Sequence, residues 1–549
     1  MRTFDGHEKR RRICLDGAWK FRTEGETAFR RTFVPSCWNN ELGLLSYEGV
    51  CIYERTFYCE GGTIRLCFAG VTTEAEVFFD GERLGEHYGG FCEFSFIKRG
   101  VPAGEHTLTV RVDNSFDENS IPQARVDWWH YGGITRSVFV EILEGLCVTY
   151  ARTEYELKDA RASVTEKIEV YNAAEETVED SVNFTLGAIS AQTKIRLAAG
   201  EIREIELTGV IMNPRLWDLD DAYLYQGSVE TSTDGLLVRT GFRTVEVKRD
   251  GVYLNGKRRE LRGVNRHEEH PEWGTAFPTG LMKRDLDILT AAGVNAVRGS
   301  HYPQSHAFID LCDEAGVLFW SEIPVWGCGF SVETLGNPVV LERGLQMHRE
   351  MVRYYYDHPS IIIWGMHNEI RSESEEGQAM SKAYYEYLKA NGGNRLVTYA
   401  SNRPFDDKSF AYCDLICINH YSGWYGSSID GWVDDIRRMH EYIESCGQSD
   451  KPVVISEFGA AALYGFRDVE STRWTEEYQA ELLGKCLELF HADPQICGSF
   501  VWQFADIRSD MDINRARSFN NKGIVNEYRK PKLAYFKVKE KYLAFKAEE

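Results

Sequence analysis

The sequence predicts a multidomain α and β fold, in which two antiparallel β-domains precede a (β/α)8, or TIM, barrel. Three observations predict it. The length of 549 residues suits three or four domains, each able to bury a core. Up to about residue 245, short runs of alternating apolar residues are punctuated by turn signals. Beyond about residue 250 the period changes, and short apolar runs alternate with amphipathic helical stretches, as parallel strands joined by helical crossovers do.

The elements justify this division in order. In residues 1–145, Tyr53–Tyr58, Thr63–Phe68, Ala75–Phe79 and His106–Val112 read as strands, with F-D-G-E and P-A-G-E as turns between them. The block D-W-W-H-Y-G-G-I-T-R, Asp127 to Arg136, is polar and aromatic and reads as a loop that presents side chains. Residues 146–246 have immunoglobulin-like size, with alternation in Ser163–Val170, Ser181–Leu186 and Thr193–Leu197. Residues 247–549 hold eight strand candidates, beginning near Leu261, Ala296, Leu318, Ile361, Leu396, Leu415, Val453 and Ser499. Helical stretches intervene at Gly280–Ala292, Ser305–Ala315, Val340–Tyr356, Glu375–Ala390, Trp432–Ser445 and Glu476–His491, and Lys532–Phe545 reads as a last helix.

Composition excludes several functions. A formal charge of −21 argues against nucleic acid and anionic membranes as partners, and requires any anionic substrate to be held by a local basic site. Thirteen Trp and 28 Tyr suit β-structured cores, and also sugar sites where a ring face packs on C–H groups. Fourteen cysteines without a CxxC pair read as reduced thiols of a cytoplasmic protein. The basic N-terminus leads into no apolar h-region, so no signal peptide is expected, and no run approaches the ~20 apolar residues of a membrane span.

A TIM barrel keeps its chemistry at the C-terminal ends of its strands. Those ends gather Glu, His, Asn, Tyr and Trp. Glu369 closes the apolar strand after Asn368, and Glu457 closes the one that begins at Val453. Retaining glycoside hydrolysis needs two such carboxylates about 5–5.5 Å apart, one as acid/base and one as nucleophile. Glu322 and Asp506 also lie at strand ends, so position alone leaves the pair open. The run H-E-E-H, His267 to His270, lacks zinc spacing and sits at a strand end, and no ligand cluster implies a metal or organic cofactor. Near the end, S-F-N-N-K-G at 518–523 reads in isolation as a turn with a solvated lysine.

The chain resembles family 2 glycoside hydrolases over essentially its whole length, and within them β-glucuronidases. V-P-S-C-W-N, R-L-C-F-A-G-V and F-D-G-E-R-L-G are similar to the family's jelly-roll domain, and L-R-G-V-N-R-H-E and R-G-S-H-Y-P to its barrel entry. H-P-S-I-I-I-W-G-M-H-N-E is similar to its acid/base signature, and K-P-V-V-I-S-E-F-G to its nucleophile signature. The resemblance implies Glu369 as acid/base and Glu457 as nucleophile, with Asn368 on the sugar 2-hydroxyl. It implies Tyr421, with Asn419 beside it, as the support of the nucleophile, and Asp127, His267 and Trp502 as lining of the sugar pocket. Asn520 and Lys522 match the N-x-K motif that binds a C6 carboxylate, which turns the bland loop into a clamp.

The expected activity is retaining, exo-acting hydrolysis of β-D-glucuronides, small or oligosaccharide, by a homo-oligomer (dimer or tetramer). β-Galacturonidase and β-galactosidase are the alternatives within the family, and a non-catalytic carbohydrate-binding protein is the alternative outside it. The stretch from Val325 to Met347 is short, so an open mouth is expected. His420 and His367 depart from the family's usual residues and bear on the aglycone.

Overall fold

A computed structural model describes residues 2–4, 6–124, 126–327, 329–509 and 515–549. The N-terminal jelly roll packs a four-stranded sheet on a six-stranded one. Along Gly104–Asp113, burial alternates with the side-chain period of a strand, so Leu108, Val110 and Val112 enter the core while Thr107, Thr109 and Arg111 do not. An immunoglobulin-like sandwich of three- and four-stranded sheets follows. Its core holds Val164, Ile168, Val182, Phe184 and Phe242.

The barrel closes as eight parallel strands, the first, Leu261–Arg266, pairing with the last, Ile496–Val501. Six strands begin at the residues read from the sequence, namely Leu261, Ala296, Leu318, Ile361, Leu396 and Val453. The sixth begins at Ile416 and the eighth at Ile496, three residues before the expected Ser499. Gly498, which reads as an interruption, is needed inside that strand: a Cβ there would stand 2.4 Å from the Cβ of Leu261 on the closing strand. A small sheet, Val245–Lys248, Gly251–Leu254 and Lys257–Arg259, carries Val252 and Leu254 into the apolar layer at the N-terminal end of the barrel, with Leu261, Leu318 and Ile363.

Several of the outer helices pack on the barrel through one apolar face. In Trp432–Ser445, the buried residues are Trp432, Ile436, Met439 and Ile443, one stripe at helical spacing. Glu375–Asn391 is started by Ser374, whose hydroxyl accepts from the Gly377 N–H, with Glu375 and Glu376 in the positive first turn. Among the described residues, no helix is long and apolar enough to cross a membrane.

The first domain is locked onto the barrel mouth. Arg136 donates to Glu268 at 3.0 Å and to the Pro303 carbonyl at 2.9 Å, and Tyr131 donates to Glu269 at 2.8 Å. The two glutamates of H-E-E-H thus serve as inter-domain anchors. Trp128 packs with Tyr302 and Ile507, so the loop from Asp127 hangs over the strand ends.

Candidate active site

The fourth barrel strand, Ile361–Asn368, is buried throughout and delivers Asn368 and Glu369 to the mouth. Gly365 in it makes room for the neighbouring strand, since a Cβ there would meet Trp320 Nε1 at 2.3 Å. Glu369 itself turns into the left-handed region, φ 53°, a conformation that costs an ordinary residue on the order of 1–3 kcal/mol and clusters at functional sites. The seventh strand, Val453–Phe458, carries Glu457, and the sixth, Ile416–Asn419, leads to Tyr421.

Arg298, on the second strand, Ala296–Gly299, ties these ends together. Its guanidinium makes two 2.9 Å bonds to Glu322, one of 2.8 Å to Glu457, one of 2.7 Å to Asn368 Oδ1 and one of 3.0 Å to Asn265 Oδ1. The Tyr421 hydroxyl donates to the other oxygen of Glu457 at 2.7 Å. Burial pushes the Glu457 carboxyl up, and Arg298 and Tyr421 offset only part of that rise. Among the described residues Glu369 has no such cation bonded to it. Burial first, and then the charge of Glu457, push it up to about 8. The Asn419 amide donates to Glu369 at 2.7 Å and to Asn368 Oδ1 at 3.1 Å, and the Ser456 hydroxyl fixes that amide by donating to Asn419 Oδ1 at 2.7 Å. The two carboxyls thus sit in different surroundings, Glu457 bonded by Arg298 and Tyr421 and Glu369 by the Asn419 amide.

The remaining strand-end carboxylates are already engaged. Glu322 braces Arg298 and accepts from the ring of His301 at 2.8 Å; Asp506 pairs with Lys532 at 2.8 Å. Burial, joined by the charge of Arg298, holds His267 and His301 well below the ordinary imidazole value, so both are neutral.

Of the ten residues singled out from the sequence, Asp127, Glu369, Asn419, Tyr421, Glu457, Trp502 and Lys522 line one cavity of about 1060 Å³. The other three stand behind it. Asn368 has its carbonyl oxygen taken by Arg298 and Asn419. His267 meets Trp502 edge-on at 5.5 Å. Asn520 donates to Asp127 at 2.8 Å. Asp127 also accepts from Ser509 at 3.1 Å and from Arg515 at 2.8 Å. Lys522 is 1% exposed. Its ammonium donates to the Tyr425 hydroxyl at 2.7 Å and lies 4.7, 5.6 and 5.8 Å from the ring centroids of Tyr425, Tyr421 and Trp424. Among the described residues it meets no carboxylate. Burial would raise the Tyr425 phenol, but the charges of Lys522 and Arg515 outweigh it and hold it below its ordinary value.

Sequence reasoning did not assign Arg298, Tyr425, Trp424, Arg515 or Trp326, all of which meet or line the site. Arg298 and His301 stand in the quoted R-G-S-H-Y-P, and Tyr425 ends I-N-H-Y-S-G-W-Y, so their motifs were visible but their roles were not. His420 lines the cavity and bonds Asp435 at 3.0 Å. His367 does not: within the fourth strand it is buried against Ser381 of helix Glu375–Asn391, at 2.8 Å, so it cannot touch an aglycone directly. The cluster Asp310, Asp313 and His358 has metal-like spacing, but Arg2 and Arg239 pair with Asp310 at 2.7 and 2.9 Å, and no residue of it lines the cavity.

Residues 245–547 match the family described as glycosyl hydrolases family 2, TIM barrel domain, and residues 148–243 match glycosyl hydrolases family 2. A β-glucuronidase of Bacteroides fragilis is 30% identical over 95% of this chain and 80% of its own length. A family 2 β-galacturonidase from Eisenbergiella tayi, solved with galacturonate, is 33% identical with a TM-score of 0.93 over 99% of both chains. The β-glucuronidase of Ruminococcus gnavus, in complex with D-glucuronic acid, is 26% identical with a TM-score of 0.87 over 99% of both chains. With two carboxyls tuned apart in a polar, aromatic barrel mouth, and with both matches covering the chain from residue 148 to 547, this chain belongs to family 2 of the glycosyl hydrolases.

Proposed function

We propose that the chain is a retaining, exo-acting β-glucuronidase. One observation carries the uronide reading: Lys522 is a buried ammonium facing the sugar cavity that meets no carboxylate among the described residues. A neutral hydroxymethyl group would leave that charge unmatched. A uronate carboxylate matches it with a charge-assisted hydrogen bond, and Tyr425 and the Asn520 loop hold the clamp in place.

In the first step Glu369 gives its proton to the glycosidic oxygen as the bond to the anomeric carbon breaks, and a Glu457 oxygen bonds that carbon. The aglycone leaves as an alcohol. Glu369, now a carboxylate, takes a proton from water as its oxygen attacks the anomeric carbon and releases Glu457. Two displacements return the β configuration. The Asn368 carbonyl oxygen is held by Arg298 and Asn419, which leaves its NH2 for the sugar 2-hydroxyl.

A β-galacturonide is the second reading, favoured by the likeness to the E. tayi enzyme. Both uronides need the lysine clamp, and they differ only at C4. Asp127, already bonded by Arg515, Asn520 and Ser509, is the wall expected to face that carbon. The test is hydrolysis of β-glucuronide, β-galacturonide and β-galactoside sharing one chromogenic aglycone, by wild type and Lys522→Ala. A glucuronide preference that collapses in the variant is expected. Preference for the galacturonide moves the assignment to the second reading, preference for the galactoside removes the clamp, and no turnover at all leaves a binding protein. The described cysteines are all free, in keeping with a reducing, cytoplasmic setting. A homo-oligomer remains the expected assembly.

A further inference from the structure

A second cavity, about 440 Å³, lies at the opposite end of the barrel, between the immunoglobulin-like domain and the N-terminal ends of the fourth and fifth strands. Four cations line it: Arg152 and Lys167 from the sandwich, Lys389 and Arg395 from the barrel. Glu154 is the one acid in its lining. Glu154 is shared, pairing with Arg152 and, at 3.1 Å, with Lys167. Lys389 is taken by Asp414 at 2.9 Å.

The floor carries uncompensated charge. Arg395 donates to the carbonyls of Ile361 (3.0 Å), Gly392 (3.3 Å) and His358 (3.1 Å) and to that of Tyr356. Beneath it, Arg243 bonds the Pro359 and Ile361 carbonyls at 2.6 Å each and the Asn394 side chain at 2.8 Å. Among the described residues neither guanidinium has a carboxylate partner. Burial, with the charge of Arg243, lowers Arg395 to about 10. Asp357 and Glu166 stand behind Thr153; burial raises Glu166 well above the usual carboxylate range, whereas Asp357, raised to about 6, stays mostly ionised at neutral pH and offsets part of the cationic charge without bonding either guanidinium. The Tyr356 ring spaces the upper and lower cations, with Arg152 at 4.3 Å and Arg395 at 4.9 Å from its centroid. Arg152 Nε is buried without an acceptor. Arg395 also donates to the carbonyl of Gly392, the residue that follows helix Glu375–Asn391.

We propose that this inter-domain cavity binds a small dianion with several acceptor oxygens, a phosphate or sulfate group free or esterified. In a chain of net charge −21, a pocket with this excess of cations is a local exception, and its size suits a small molecule. Such a ligand would bridge the sandwich to the barrel, stabilising the folded state by mass action.

The test is thermal unfolding of the full chain with inorganic phosphate, sulfate or a sugar phosphate, against chloride at matched ionic strength. A saturable rise in Tm is expected for the dianions and not for acetate. A tighter half-saturation for the sugar phosphate identifies an esterified ligand, and equal values a free ion. The rise must persist in Lys522→Ala, which lacks the lysine of the sugar cavity, and half-saturation must weaken at least tenfold in Arg152→Gln and in the half-exposed Lys167→Ala. A rise that vanishes in Lys522→Ala, one that survives unchanged in both cavity variants, or none at all overturns the proposal.

Discussion

Two buried lysines stand ten residues apart in the chain and do different work. Lys532 is fully enclosed and meets Asp506 at 2.8 Å and the carbonyls of Ala462 and Asn521 at 2.7 and 3.0 Å. Lys522 is equally buried, but its neighbours are three aromatic rings, one phenol and the sugar cavity. A buried charge needs compensation. Where the protein supplies it, the residue is part of the fold. Where the protein withholds it, the ligand is expected to complete the site.

The sharpest break of this comparison is to remove each charge in turn. Lys532→Met leaves Asp506 buried without its partner and is expected to cost about 3–5 kcal/mol of stability, read as denaturant or thermal midpoint. Lys522→Ala is expected to leave the midpoint nearly unchanged. In the same variant kcat/KM on the uronide falls by about 2–5 kcal/mol in transition-state terms. Were Lys522→Ala the more destabilised of the two, the distinction would fail.

A smaller effect tests the paired carboxyls. Glu369 must be protonated to act as the acid, so with its carboxyl held up at about 8, kcat should fall as pH rises through that value. The limb should move further up in Asn419→Ala, because the amide's hydrogen bond favours the ionised form. A pH–rate profile with an alkaline limb unmoved by that substitution would detach Asn419 from Glu369.

The smallest expected effect is that of Ser456→Ala, about 1 kcal/mol, through loss of the bond that orients the Asn419 amide. Its signature is an upward shift of the same limb without a change in KM, and rescue by Ser456→Thr. An unshifted limb would mean that the amide is oriented without the serine.

Most of the barrel was legible because its signal is local. Trp432–Ser445 matches the stretch read from the sequence residue for residue, since one apolar stripe and the polar face opposite it define a helix without outside help. The eighth strand was read late because Gly498 looks like a breaker until Leu261 is seen against it. The roles of Arg298 and Tyr425 were not legible, because they arise where separate strands and loops converge. Between Glu322 and Glu457, position along the chain left the choice open and the resemblance to family 2 implied Glu457. Both end apolar strands, and both meet Arg298; only packing shows that Glu322 takes two of its bonds with His301 behind, while Glu457 takes one and faces the cavity.

By itself the sequence determined the order of the domains, the eight β/α units, the motifs of family 2 and the few residues worth watching at the strand ends. Those follow from periodicity and short motifs, which are properties of neighbouring residues. Tertiary structure alone decided how far the Glu369 carboxyl is raised, what surrounds Lys522 and where Asp127 and Arg515 meet. These depend on burial and on charges brought together from distant parts of the chain, and both exist only once the barrel has closed and the first domain has docked on its mouth.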